Sequence, residues 1–442
     1  MAGEWKKFQL GQLGSVVTGR TPPGTLPEYF GGAVPFVTPS DMDGRRKVHE
    51  TARSLSVQGT EILKRVIVQR GIAVSCIGWQ MGKAVLIDMP AATNQQINTL
   101  VPEPELADDL FVYYALTSER DAIFRLGAGG SRTPILNKSG FEAFEITLPP
   151  LAEQKAIAAV LGALDEKIDL NRRMKATLEV MARALFQSWF VDFDPVRAKL
   201  DGRKPIGLDE TTAALFPDSF QESSLGHIPK GWEVGRLGQY LATEIGGDWG
   251  EDDRFDGAIE VAALRGVDLE HLRERGAANP PRRWIKESSL TKRRMSACDV
   301  LVASSGAGPC GRPLWVSPHL EAAFPVPVLY SNFCKRYRVA TPAHALYFDR
   351  VLFEMRASGE IWDFINGTSI PNLDSNGLMT GKSALVPPVN ILKKFAAFVQ
   401  PIYERLYSRE SRTLATLRDT LLPKLLSGEL SVTANLLAST KS

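Results

Sequence analysis

Apolar residues recur every three or four positions behind each of two double prolines. After Pro149–Pro150 they fall at Ile157, Leu161, Leu164, Ile168, Leu178, Ala182, Leu185 and Trp189, with Asn171 and Lys175 at the intervening positions. After Pro387–Pro388 they fall at Ile391, Phe395, Phe398, Ile402, Leu406, Leu414, Leu417, Leu421 and Leu425. Proline is tolerated in the first helical turn but not beyond it, so each pair marks a helix start. Alternating steps of three and four make the seam of a coiled coil. Both seams are broken by a polar stretch, "NRRMK" (171–175) and "SRESR" (408–412). A polar step at one depth in two helices predicts that they pack on each other and that the step helps set register. Each helix runs roughly 35 to 40 residues, roughly 50 to 60 Å at about 1.5 Å per residue.

The parts ahead of the helices read differently. "VPFVTP" (34–39), "RVIVQRGIAVSC" (65–76), "KAVLID" (83–88) and "FEITLPP" (144–150) are β-branched runs bounded by Gly, Pro and Asp. These predict short strands. "DLFVYYALTSE" (109–119) and "ALYFDRVLFEMRAS" (345–358) predict helices. The pattern is stated twice. Trp5 opens "WKKFQLGQL" and Trp232 opens "WEVGRLGQY". At the same offset "FVTPSDM" (36–42) falls on "ALRGVDL" (263–269), so Asp41 meets Asp268. "GIAVSCIG" (71–78) matches "DVLVASSG" (299–306), and "GGSRTPILN" (129–137) faces "NGTSIPNLD" (366–374). The fold class expected is α/β (α+β): two tandem, β-rich heads, each followed by a long helix, with the two helices forming an antiparallel coiled coil. Between the copies, "FVDFDPVRAKLDGRKPIGLDETTAALFPDSFQESSLGHIPKGW" (190–232) is Pro/Gly-rich and polar, and predicts a linker.

At 442 residues two or more domains are expected. A net charge of +2 announces no nucleic-acid partner, although a local basic face can be offset elsewhere. Cys76, Cys298, Cys310 and Cys334 form neither a CxxC pair nor a Cys/His cluster, which predicts reduced thiols and no zinc site. Met1 to Leu10 has no apolar h-region, and no run of about 18 apolar residues occurs. A cytoplasmic protein without membrane association is expected.

Three stretches imitate catalytic motifs. "GAGPCG" (306–311) fits GxGxxG after a strand, but "RPLWVSP" follows instead of the helix a phosphate site needs. "GLMTGKS" (377–383) ends like a phosphate loop, but Asn376 stands where the first glycine belongs. "NPPR" (279–282) resembles an adenine-methyltransferase motif, with Arg282 in place of the stacking aromatic. With "RRW" (282–284) and "KRR" (292–294) it reads as a basic contact strip. His49, His227, His271, His319 and His344 sit in no HExxH or triad-like setting. No enzyme site is expected.

"LPPLAEQKAIAAVLGALDEKIDLNRR" (148–173), "SWFVDFDP" (188–195) and "LLPKLLSGEL" (421–430) resemble the specificity subunit of type I restriction-modification systems. The second double proline departs from the pattern, since "VPPVNILKKFAAFV" lacks the EQ pair. The resemblance implies target-recognition domain 1 over 1–147, a central helix over 148–192, a linker over 193–230, domain 2 over 231–386, a C-terminal helix over 387–430 and a tail over 431–442. It implies that each domain reads one half of a split, asymmetric duplex DNA site, with the helices as spacer. It implies two methyltransferase subunits, two restriction/translocase subunits and no chemistry in this chain. S-adenosylmethionine, ATP and Mg would belong to those partners. Glu153, Gln154, Asp165 and Lys167 are the expected methyltransferase contacts. Base edges need forked donors and acceptors, and phosphates need cations or N–H groups. That selects Trp79, Gln80, Lys83, Asn94, Gln95, Gln96, Ser131, Arg132 and Lys138 in the first head. In the second it selects Arg265, Arg282, Arg283, Arg312, Asn332, Ser369 and Asn372. A coiled-coil scaffold with two protein- or ligand-binding heads is the alternative, and salt-dependent DNA binding separates the two.

Overall fold

The computed structural model describes residues 4–23, 27–48, 50–128, 134–276, 278–367, 369–406 and 410–432. The chain divides into two compact units, Met1–Ile168 with Leu414–Ser442, and Asp169–Thr413. Each unit holds one head and a piece of each long helix.

The heads share one topology. The first carries a four-stranded antiparallel sheet in the order Gly14–Thr18, Ile97–Pro102, Gly71–Ser75, Ala84–Ile87. The second repeats it as Leu241–Gly246, Cys334–Val339, Asp299–Ala303, Pro313–Trp315. Beside it in the first head, Phe30–Val37 pairs antiparallel with Ser54–Leu55 and parallel with Ala92–Thr93. In the second, Ala258–Leu264 does the same with Arg282–Lys286 and Val328–Tyr330. Each head is closed by its first and last strands, Lys6–Gln9 with Glu145–Leu148 and Glu233–Arg236 with Ser383–Val386. The central strands, Gly71–Ser75 and Asp299–Ala303, are buried throughout. That burial explains their unbroken apolar runs.

The duplication extends to single hydrogen bonds. Asp41 accepts from the Thr38 N–H at 2.8 Å, and its counterpart Asp268 accepts from the Arg265 N–H at 2.9 Å. Asn137 and Asp374 each cap a short helix, accepting at 2.8 Å from Gly140 and Gly377. Capping of this kind is worth about 1 kcal/mol.

The first long helix runs Leu151–Phe190. Of its expected seam, Ile157, Leu161, Ile168, Asn171, Lys175, Ala182 and Trp189 are buried, and Leu164, Leu178 and Leu185 are half-buried. The second is in two pieces, Val389–Leu406 and Glu410–Leu426. Of its expected break, 408–412, Ser408 and Arg409 lie outside the described residues, and 410–412 open the second piece. Its buried face also differs from the expected seam. Leu392, Val399 and Tyr403 are buried, whereas Phe398 and Leu417 are exposed. A head packs across the helix as well as a neighbouring helix, so the apolar face is wider than a narrow coiled-coil seam.

In the second unit, Phe186, Trp189 and Phe190 of the first helix pack on Phe395 of the second, with ring centroids 5.0 to 6.2 Å apart. In the first unit, Ile157 and Leu161 share a core with Leu425. Residues 193–230, expected as a linker, are folded. They form helices Asp194–Leu200 and Glu210–Ala214 and a hairpin, Phe220–Ser223 with Gly226–Pro229. Phe193, Val196, Phe216 and Ile228 enter the second unit's core, where Trp189 meets Phe216 edge-on at 5.0 Å. Four spaced apolar residues among prolines, glycines and charges are too thin a pattern to signal this from sequence.

Candidate nucleic-acid interface

Three loops meet at one end of each head. In the first, the Cys76 N–H donates to the Gln96 carbonyl at 2.8 Å, and the Leu136 N–H donates to the Cys76 carbonyl at 2.9 Å. The Gly78 N–H then donates to the Pro134 carbonyl at 2.9 Å. In the second head, Ser304 donates to Phe333 at 2.8 Å, Leu373 to Ser304 at 2.8 Å, and Gly306 to Pro371 at 3.0 Å. The same backbone bonds therefore tie loops 76–81, 94–97 and 134–138 together, and loops 304–311, 331–334 and 369–373 together. Gly78 at φ 62° and Gly306 at φ 110° turn the chain at equivalent points. Only glycine takes this conformation without cost.

Of the residues selected from sequence, several gather on these loops. Trp79 is 83% exposed and stacks on Phe124, with centroids 5.8 Å apart. Gln80 and Gln95 are exposed beside it, and Gln95 accepts from Thr21 at 2.5 Å. Asn94 and Gln96 are half-buried and bond to each other, which makes them turn formers. Lys138 is exposed near Glu142 at 3.6 Å. Ser131 and Arg132 lie outside the described residues. In the second head Asn332, Ser369 and Asn372 are exposed on the converging loops.

The other selected cations have internal partners. Lys83 donates to the Met42 carbonyl at 3.0 Å. Arg265 is held by Asp268 at 2.8 Å, and this hydrogen bond raises its already high pKa. Arg283 is buried and bonds Asp252 and the Trp249 and Gly250 carbonyls. Arg312 pairs with Glu270. Arg265 and Arg282 are exposed, Arg282 on the strand Arg282–Lys286. Sequence reasoning passed over Ile135, Phe333 and Ile370, which are 54 to 63% exposed on the loops. The repeat itself could have pointed to Phe333, since it answers Gln96.

The expected partner contacts divide similarly. Gln154 is buried, accepting from the Asp108 N–H at 2.9 Å and donating to the Pro149 carbonyl at 2.9 Å. Asp165 is buried against Tyr114 and Arg418. These two hold the fold together, and a buried side chain does not face a separate chain. Glu153 is half-buried and Lys167 is exposed.

None of the three imitation motifs is built as a site. Gly306–Gly311 joins two strands, and Gly377–Gly381 ends the short helix Ser375–Gly381. Asn279–Arg282 leads into strand Arg282–Lys286. Burial pushes the Cys76 thiol up to about 11 and the Cys334 thiol up to about 12, so neither is a ready nucleophile. Among the described residues no group of three His, Cys, Asp or Glu could hold a metal, and no helix is long and apolar enough to cross a membrane.

Residues 2–180 match the family described as "Type I restriction modification DNA specificity domain". The MjaIX specificity subunit of a type I restriction enzyme from Methanocaldococcus jannaschii is 26% identical over 437 residues, covering 97% of this chain and 94% of that one. Over nearly its whole length the chain is thus similar to a type I specificity subunit. The HindI specificity subunit from Haemophilus influenzae is 32% identical over 178 residues, 38% of each chain. The fold agrees with the crystal structure of a type I S subunit from M. genitalium, with TM-score 0.60, 16% identity and 96% of both chains covered. A specificity subunit is a non-catalytic recognition component. The exposed Trp79, Gln80, Gln95, Asn332 and Asn372 suit that role better than any pocket in the heads, because base edges are read by forked polar and flat apolar groups.

Proposed function

We propose that this specificity subunit reads a bipartite, asymmetric site on duplex DNA, one half-site per head, through the three converging loops of each. The observation that carries the reading is the duplicated loop junction, in which the same backbone bonds present exposed aromatic and amide side chains twice. The two long helices form the spacer between readers. Half-sites about one DNA turn apart, roughly 34 Å, call for a stiff connection of the length of these helices. Two adenine methyltransferase subunits dock along the helices, where Glu153 and Lys167 are accessible and Val180 and Met181 leave apolar surface outward. Two restriction/translocase subunits complete the assembly in the cytoplasm. S-adenosylmethionine, ATP and Mg are held by those partners and not by this chain.

A map of methyladenine in cells carrying the neighbouring methyltransferase, with and without this chain, tests the reading. A split motif with one modified adenine in each half, present only with this chain, is the expected result. Methylation that ignores this chain, or a single continuous motif, would overturn it.

A further inference from the structure

Each head is seated on the long helices through a buried polar cluster, and the two clusters are assembled from corresponding positions. Arg46 and Arg273 are related by the same offset that places Asp41 on Asp268. Both are buried. Asp165 and Tyr403 each lie fifteen residues beyond the second proline of their pair, on the helix that follows the head. Tyr114 and Asp349 come from the helices Asp109–Ser118 and Pro342–Ser358, each the helix that follows the fourth strand of the duplicated sheet in chain order.

The chemistry is exchanged between the two seats. In the first, the head supplies the tyrosine and the helix the carboxylate: Tyr114 Oη donates to Asp165 Oδ2 at 2.6 Å. In the second, the head supplies the carboxylate and the helix the tyrosine: Tyr403 Oη donates to Asp349 Oδ2 at 3.2 Å. An arginine from each head attends the pair. Arg46 lies against Tyr114, and Arg273 bonds both Asp349 oxygens at 3.0 Å. The other long helix adds a charged group each time. Arg418 donates to Asp165 at 2.7 Å, and Glu179 accepts from Arg350 at 2.8 Å. Tyr114, Asp165, Asp349 and Tyr403 are all at most 5% exposed.

We infer that the exchanged Tyr/Asp pairs key each head to its own stretch of helix. Each head runs within two residues into its own helix, so the chain itself sets the seating; because the heads share a fold, the pairs bear on what happens when a head is exchanged into the other position. A head with Asp on the first seat would place Asp against Asp165, leaving the volume of a phenol ring empty. A head with Tyr on the second seat would place Tyr against the fully enclosed Tyr403, where a close-packed interior has no room. Voids and overpacking both destabilise, while a swap that conserves volume is tolerated best. Keying makes a head exchanged into the other position fit its new seat poorly, and thereby preserves the order of whatever the heads read. The inference stands on the duplicated fold and holds whether or not the heads read DNA.

The test is a double-mutant cycle at each seat in the full-length chain. Tyr114→Asp and Asp349→Tyr each imitate the wrong head, and each is expected to lower the melting temperature of its unit by several degrees. Adding Asp165→Tyr to the first, or Tyr403→Asp to the second, restores the pair in the other seat's orientation and should recover at least half of the loss. Should a single variant fail to fold, the milder cycles Tyr114→Phe with Asp165→Asn and Tyr403→Phe with Asp349→Asn still report coupling. Double variants whose losses equal the sum of the singles at both seats would overturn the inference. So would single variants as stable as the original chain.

Discussion

Replacing Arg418 by alanine tests whether the end of the second long helix is an integral part of the first unit. Arg418 Nη1 donates to Asp165 Oδ1 at 2.7 Å, and its side chain is 29% exposed against 7% for Asp165. The carboxylate holds the guanidinium above its usual pKa against the cost of burial. Removing one member of a fully buried ion pair costs about 3 to 5 kcal/mol, because the survivor is left charged in a poor solvent. Two features reduce that here. Arg418 is partly solvated, and Tyr114 continues to donate to Asp165 at 2.6 Å. A loss of about 2 to 3 kcal/mol is therefore expected, discounted from the fully buried case. For a unit of about 150 to 250 residues each kcal/mol moves the midpoint by about 2 to 4 °C, so the first unit should melt about 4 to 12 °C lower. Differential scanning calorimetry of the full chain reads this directly, with the second unit's transition as internal reference. Arg418→Lys should recover part of the loss. A shift of no more than about 1 °C would refute the reasoning, since Asp165 would then be solvated and the helix end loosely attached.

Two further outcomes are expected. Burial, joined by Arg405, lowers the Lys175 ammonium to about 8, with Glu410 opposing. In the unfolded chain lysine titrates near 10.4, so between about 8 and 10.4 the unfolded state binds more protons and stability rises with pH. Calorimetry from pH 7.5 to 9.5 should show the second unit gaining stability relative to Lys175→Met, and parallel profiles would argue against a buried ammonium. Trp79→Ala removes an exposed ring and should leave the melting temperature within about 1 °C while weakening binding to duplex carrying the mapped site by about tenfold or more. Its salt slope should stay unchanged because no phosphate contact is lost; an unchanged affinity would place Trp79 off the reading surface.

The amino-acid sequence by itself determined the repeated plan and most of the first helix. Hydrophobic periodicity is local, and it reports which face of an element will be buried before any partner is known. Thus the seam from Ile157 to Trp189 was legible, as was the pairing of Gly71–Gly78 with Asp299–Gly306. Each duplicated hydrogen bond at Asp41/Asp268 and Asn137/Asp374 follows from short-range capping. Only the tertiary structure decided what the polar residues do. Gln154, Asp165, Lys83, Arg283 and Arg312 looked available because a charged or amide side chain is usually solvated. Each found a partner that could not be read locally, such as Asp165 with Arg418 at the far end of the chain. The face of the second helix shifted to Leu392, Val399 and Tyr403 for the same reason, since a head as well as a helix covers it. Burial of a polar group is set by whether folding supplies its hydrogen bonds, and those bonds join residues that the sequence keeps far apart.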